Sequence, residues 1–216
     1  MVHISDQSYF PLRVGNYQIY TVNETDINRL SCSTSLVPKK YDLKVLVFDS
    51  VKNTEGGFTY LIHRYTRADS TQAWIILDSW SARKDVNQVV VNEGNTPYVK
   101  LVFPMASGTL WNGNTYNGNA VEDYTMTDVG KSYTQGNGKK FSSTVTVVQS
   151  DNQDFIVYQD KRIEVYAASV GLIYKETTQL TYFQNDCGSG NTCCLGTQDP
   201  KTGIIYTQEL KSYGRE

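Results

Sequence analysis

Apolar and polar residues alternate with a period of two along most of this chain, the spacing of a strand with one buried and one wetted face. Segments 17–22, 43–49, 58–67, 73–81, 86–91 and 98–103 carry the pattern first, separated by short turns rich in Gly, Asn, Asp and Ser. In one of them, Phe58, Tyr60 and Ile62 fall on one face and Leu61, His63 and Tyr65 on the other. The rhythm resumes over 122–129, 141–149, 155–158, 162–166, 171–183 and 203–210. Between the two groups, 104–120 holds too much Gly and Asn for a strand interior and reads as a long ordered loop. Residues 23–36 have room for one helical turn at most, and no amphipathic helix is evident. The expected fold is all-β, a single antiparallel meander of about ten to twelve strands. A flat sheet of that size would expose a long apolar edge, so a barrel or a strongly coiled sheet is expected. The links are turn-sized and no repeat stands out, which predicts one domain over 1–216, with 1–8 and 212–216 as candidate flexible ends.

An apolar share of 39% in 216 residues is enough to fill a core. With 20 basic against 22 acidic residues and no basic tract, a nucleic-acid partner is not expected. The longest apolar run, Ala73-Trp74-Ile75-Ile76-Leu77, is far short of the ~20 residues of a membrane span. The N-terminus lacks the charged and apolar regions of a signal peptide, so the chain reads either as cytosolic or as an exported protein after processing. Abundant Thr, Val, Tyr, Asn and Gly with little Ala favours the exported reading.

Cys32, Cys187, Cys193 and Cys194 allow three pairings. A vicinal Cys193–Cys194 bridge would close a strained ring, so one of these two is expected to pair with Cys187 and the other with Cys32. The flexible Gly188-Ser189-Gly190-Asn191 turn favours Cys187–Cys194. Free thiols and a metal site are the alternatives, but the spacing does not match that of zinc ligands, and no metal or other cofactor is predicted. A bridge would suit an oxidising compartment.

No nucleophile elbow, zinc-protease, phosphate-loop or dinucleotide motif occurs, and the prediction is that the chain is not an enzyme. Of two histidines, His3 and His63, the latter reads as a cross-strand packing residue. The carboxylate groups Glu122-Asp123, Asp151 with Asp154, and Asp160 with Glu164 are candidates for paired-acid chemistry. The Asp151–Asp154 stretch reads more simply as a polar turn, and Asp160 to Glu164 as charge on a strand surface. Aromatics supply the candidate ligand-binding residues: Trp74, Trp80, Trp111 and Tyr116, able to stack on a sugar or clasp an apolar molecule. Trp74 and Trp80 lie six apart, so in an unbroken strand they share a face, which reads first as core. Trp111 and Tyr116 lie in the Asn/Gly loop, as anchors or as exposed contacts.

Several blocks resemble a group of secreted lipoproteins of Bacteroidota. They are the opening Tyr9-Phe10-Pro11-Leu12-Arg13-Val14-Gly15-Asn16-Tyr17-Gln18-Ile19-Tyr20; Tyr98 to Pro104 followed by Trp111-Asn112-Gly113-Asn114; Glu164 to Lys175; and the Ile205-to-Gly214 ending. Position 18 is Gln where the group commonly has Trp. The tripeptides Asp49-Ser50-Val51 and Asp69-Ser70-Thr71 fit an O-glycosylation pattern of exported proteins in that phylum. The resemblance implies an exported protein, periplasmic or at the cell surface, with a lipid anchor upstream of residue 1. It carries no established activity. Gly15 and Gly171 are expected at tight turns or bulges, with Pro11 and Pro104 ending strands. The expected role is a non-enzymatic binding or scaffold protein of the envelope, with a protein, glycan or lipid partner. The alternatives are a carrier of a lipid or small hydrophobe in the barrel, and a carbohydrate-binding or carbohydrate-active protein. An interior void of several hundred Å³ would favour the carrier, a filled interior the scaffold.

Overall fold

The computed structural model describes residues 5–30, 34–54, 56–184 and 198–216. Twelve antiparallel strands make one sheet: β1 (Asn16–Asn28), β2 (Lys39–Lys52), β3 (Phe58–Arg67), β4 (Ile75–Lys84), β5 (Gln88–Glu93), β6 (Thr96–Val102), β7 (Leu110–Asn112), β8 (Asp123–Thr134), β9 (Lys140–Asn152), β10 (Tyr158–Ala167), β11 (Gly171–Tyr182) and β12 (Pro200–Arg215). The expected all-β meander is what forms. Its two chain ends meet, because β1 pairs with β12 as well as with β2. The sheet therefore begins at β6 and finishes at β7, which are consecutive in the chain but not paired as strands.

Those edges would invite aggregation if left bare. They are drawn together instead, and the barrel is nearly closed. The Val99 amide donates to the Gly113 carbonyl at 2.9 Å, the Trp111 indole N–H to the Val99 carbonyl at 2.8 Å, and the Asn117 amide group to the Pro97 carbonyl at 2.8 Å. Trp111→Phe keeps an aromatic ring and removes one seam bond, taking the indole donor from the carbonyl of a residue 2% exposed. It is expected to cost about 1–2 kcal/mol in urea unfolding.

Residues 23–28 continue β1, within the expected limit of one helical turn. Other local expectations are corrected. Residues 155–157 are a turn, and β10 is a single strand from 158 onward. The Asn/Gly loop contains the short strand β7. Trp74 and Trp80 are not presented from one unbroken face either: β4 starts at Ile75, and its Leu77 is an extra residue facing the Arg64/Tyr65 step of β3, which inverts the alternation.

Two segments lie across the barrel. The end of the β8–β9 hairpin bends where Asp128 and Gly130 take positive φ (53° and 76°) and folds over the outside of β10–β12. There Gln135 donates to the Ile173 carbonyl at 2.9 Å, and the Tyr133 and Tyr174 rings lie 6.1 Å apart. The outward residues of β10 are covered, and Val165 is only 2% exposed. At one mouth the N-terminal segment forms a 3-10 turn, Asp6–Tyr9, the only helix among the described residues. Tyr9 is buried with its hydroxyl 2.7 Å from that of Ser143. Lys84 donates to the carbonyls of Gln7 (3.0 Å) and Phe10 (2.9 Å), and the Ser169 amide to that of Ser8 (2.9 Å). These bonds hold residues 5–10 at the rim, and residues 212–215 belong to β12. All four cysteines and His3 lie outside the described residues.

Candidate functional site

Behind the N-terminal segment the lumen holds a cavity of about 420 Å³. Its mouth lies between Leu12, Arg13 and Asn16 on one side and Tyr213 and Arg215 at the end of β12 on the other. The wall is apolar, from Val45, Val47, Ile62, Trp80, Val91 and Leu172. Gly171 opens β11 at φ 94°, beside Gln18, whose amide donates to the Val170 carbonyl at 2.7 Å. The Gln at position 18 thus pins the β10–β11 turn to β1.

The inner end of the cavity carries charge. Glu164 of β10 and Lys175 of β11 are direct cross-strand partners. Glu93 closes β5, and Lys100 is the extra residue of a bulge in β6, between the Val99–Val90 and Leu101–Val89 pairs. A bulge re-aims one side chain, and here it sends lysine into the lumen beside an inward leucine. Lys100 reaches across the barrel to Glu164 at 2.6 Å and holds Glu93 at 3.0 Å. Lys175 lies 3.4 Å from Glu164 and 3.9 Å from Glu93. Tyr166 donates its hydroxyl to the second oxygen of Glu164 at 2.5 Å. Glu164 is 1% exposed and Lys100 5%.

Burial by itself would raise the Glu164 pKa, but Lys100 and Lys175 more than offset that and hold it below the ordinary carboxylate value. Burial likewise works to lower the Lys100 pKa, and Glu164 with Glu93 overcome it, so the ammonium is held above the usual value. Burial, then Glu164, pushes the Tyr166 phenol well up, which keeps it a neutral donor. Along the same lumen, the Arg64 guanidinium lies 3.9 Å above the Trp80 ring and gives one N–H to Asp78 at 3.0 Å.

Of the four aromatic candidates, Trp80 lines this cavity. Trp74 lies just before β4 beneath the Arg67 guanidinium, 4.1 Å from its ring centre. Trp111 is engaged in the seam and meets Tyr124 edge-on at 5.9 Å. Tyr116 is 45% exposed and accepts a bond from Gln88 at 2.6 Å. The structure does not gather the four into one site. Glu122 and Asp160 are both taken by Arg162. Asp154 caps a polar turn through the Ile156 amide at 3.0 Å, as expected. His63 lies flat against Phe48, ring centres 4.1 Å apart.

Glu164 is a correction: read as surface charge, it is among the most buried side chains of the protein. Lys100, Glu93, Lys175, Tyr166 and Arg64 are not among the candidate site residues of the sequence. The available signal was a single charge enclosed by apolar neighbours, as in Val99-Lys100-Leu101 and Ile163-Glu164-Val165. Among the described residues no cluster of three or more His, Cys, Asp or Glu offers a metal site, and no helix is long and apolar enough to cross a membrane.

No protein-family model matches this sequence, and no curated protein does so. Two solved structures are similar in shape. One is a protein of Bacteroides fragilis NCTC 9343, proposed to be exported and described as having a YmcC-like fold, at TM-score 0.47 and 13% identity over 95% of this chain and 98% of that one. The other is a protein of Parabacteroides distasonis ATCC 8503, proposed to be a lipoprotein, at TM-score 0.46 and 9% identity over 95% and 98% of the two chains.

Proposed function

We propose that this chain is a non-enzymatic binding protein of the exported or envelope space that takes a small amphiphile into its barrel. The observation that carries this reading is the lumen cavity, about 420 Å³ with an apolar wall and a charged inner end. Small-molecule sites run from roughly 300 to 1,000 Å³ and combine apolar walls with a few placed polar groups. A barrel serving only as scaffold fills its interior with side chains. Buried ion pairs are also a poor way to stabilise a core, since desolvation consumes most of their attraction. As the polar end of a ligand site, the same charges orient a guest.

The site is poorly suited to proton transfer. A general acid or base works best with a pKa near the working pH. Here Glu164 is held low and Lys100 high, each by the other after burial is overcome. Placement outside the cytoplasm rests on the sequence blocks and composition described above.

Titration of the full chain with the neutral probe N-phenyl-1-naphthylamine tests the reading. Saturable one-to-one binding is expected, with energy transfer from Trp80. Val47→Phe, which narrows the cavity, is expected to weaken binding about tenfold while leaving the circular dichroism unchanged. Non-saturable binding, or binding indifferent to Val47→Phe, overturns it.

A further inference from the structure

We infer that the guest carries an anionic head group, a carboxylate on an apolar chain, and that Arg64 receives it. The inference rests on the lumen-binding reading and deepens it. Although the whole chain has a formal charge of -2, the charges around the cavity have the opposite balance. Arg13, Arg64, Lys100, Lys175 and Arg215 line it, against Glu93 and Glu164 alone. Counting Asp78, the partner of Arg64, leaves the balance positive.

The cations differ in what they have left to give. Lys100 is consumed, bonded at 2.6 Å to Glu164 and at 3.0 Å to Glu93. Arg215 donates to the Val14 carbonyl at 3.2 Å and marks the mouth. Arg64 gives a single N–H to Asp78, lies over the Trp80 ring and is 14% exposed. A guanidinium has five N–H donors in a rigid fork, so its unspent edge presents a site suited to a carboxylate. Stacking on Trp80 holds that fork in place before a ligand arrives. Lys175, 3.4 Å from its nearer carboxylate and 22% exposed, adds a second positive charge to the same cavity. At about 20–30 Å³ per non-hydrogen atom, the volume takes a guest of about 14–21 such atoms, a range that includes a medium-chain fatty acid and the naphthylamine probe.

Laurate, dodecanol and dodecyltrimethylammonium share a chain and differ in head group. Each is used, below its micelle concentration and at about pH 8 where the carboxylate is ionised, to displace N-phenyl-1-naphthylamine from the full chain. Laurate is expected to bind about ten- to a hundredfold more tightly than dodecanol, with the cation weakest. Arg64→Gln is expected to close most of the gap between laurate and dodecanol, and Arg64→Lys to keep most of it. Equal binding of laurate and dodecanol to the unaltered protein, preference for the cation, or a gap that mostly survives Arg64→Gln overturns the inference and leaves lumen binding standing. Failure of the naphthylamine probe and all three amphiphiles to bind overturns both.

Discussion

Replacing Lys100 with methionine is expected to lower the unfolding free energy by about 3–5 kcal/mol, the cost of removing one partner from a buried charge pair. The effect is large because Lys100 holds carboxylates on both sides of the barrel at short range, Glu93 at 3.0 Å and Glu164 across the lumen at 2.6 Å. Without it, two buried carboxylates share Lys175, at 3.4 and 3.9 Å. The pH dependence changes sign as well. In the unaltered protein Glu164 titrates below its ordinary 4.5, so its contribution is present above that pH and lost as pH falls through the depressed value. Lys100 titrates above its ordinary 10.5, and its contribution is present below that pH and lost as pH rises through the elevated value. In Lys100→Met one carboxylate is driven up by burial and by its like-charged neighbour. The folded state then keeps a proton that the unfolded chain releases above 4.5, and stability falls as pH rises through that window. Urea unfolding at a series of pH values reads both effects. A loss under about 1 kcal/mol, the size of an exposed pair, would mean that the cross-lumen tie is solvated. Lys100→Met with Glu164→Gln together is expected to recover much of the loss, because neither charge is then left alone.

Gly203→Ala is expected to lower the melting temperature by about 6–12 °C, from roughly 3 kcal/mol of strain and collision in a chain of this size. Gly203 lies in β12 between Ile27 of β1 and Leu180 of β11. Its φ is 133°, and an added Cβ would lie 1.9 Å from the Gln179 carbonyl oxygen. A backbone atom cannot swing aside as a side chain can, so β11 and β12 must part. That separation opens the small cluster of Ile27, Leu180 and Tyr182. The position is remote from the cavity lining, and probe affinity at room temperature is expected to stay unchanged. Differential scanning fluorimetry showing an unaltered midpoint would refute the crowding.

The fold was legible because strand alternation and turn residues are local properties, and twelve strands repeat them. The site was not, and three residues show why. Val165 is apolar and buried, so alternation assigns the opposite face, with Glu164, to water. The β8–β9 hairpin covers Val165 from outside, and the lumen receives Glu164. Lys100 is turned inward by a bulge, and nothing in Val99-Lys100-Leu101 announces that one strand has gained a residue over its partner. Trp80 reads as an ordinary core aromatic, and its role as the platform under Arg64 depends on β3 and β4 pairing with Leu77 left over.

The sequence by itself determined the class of structure: antiparallel strands, their approximate number and the need to dispose of the sheet edges. All of these follow from side-chain period and turn chemistry within a few residues. Only the tertiary structure decided that β1 and β12 join the ends, that the seam falls between β6 and β7, and that a hollow remains with two acids and two lysines at its inner end. The barrel brings together side chains more than sixty positions apart, Lys100 and Glu164 among them. Whether a charge in a strand meets water or another charge depends on register, bulges and what covers each face, and those are set by pairing between strands that are distant in the chain.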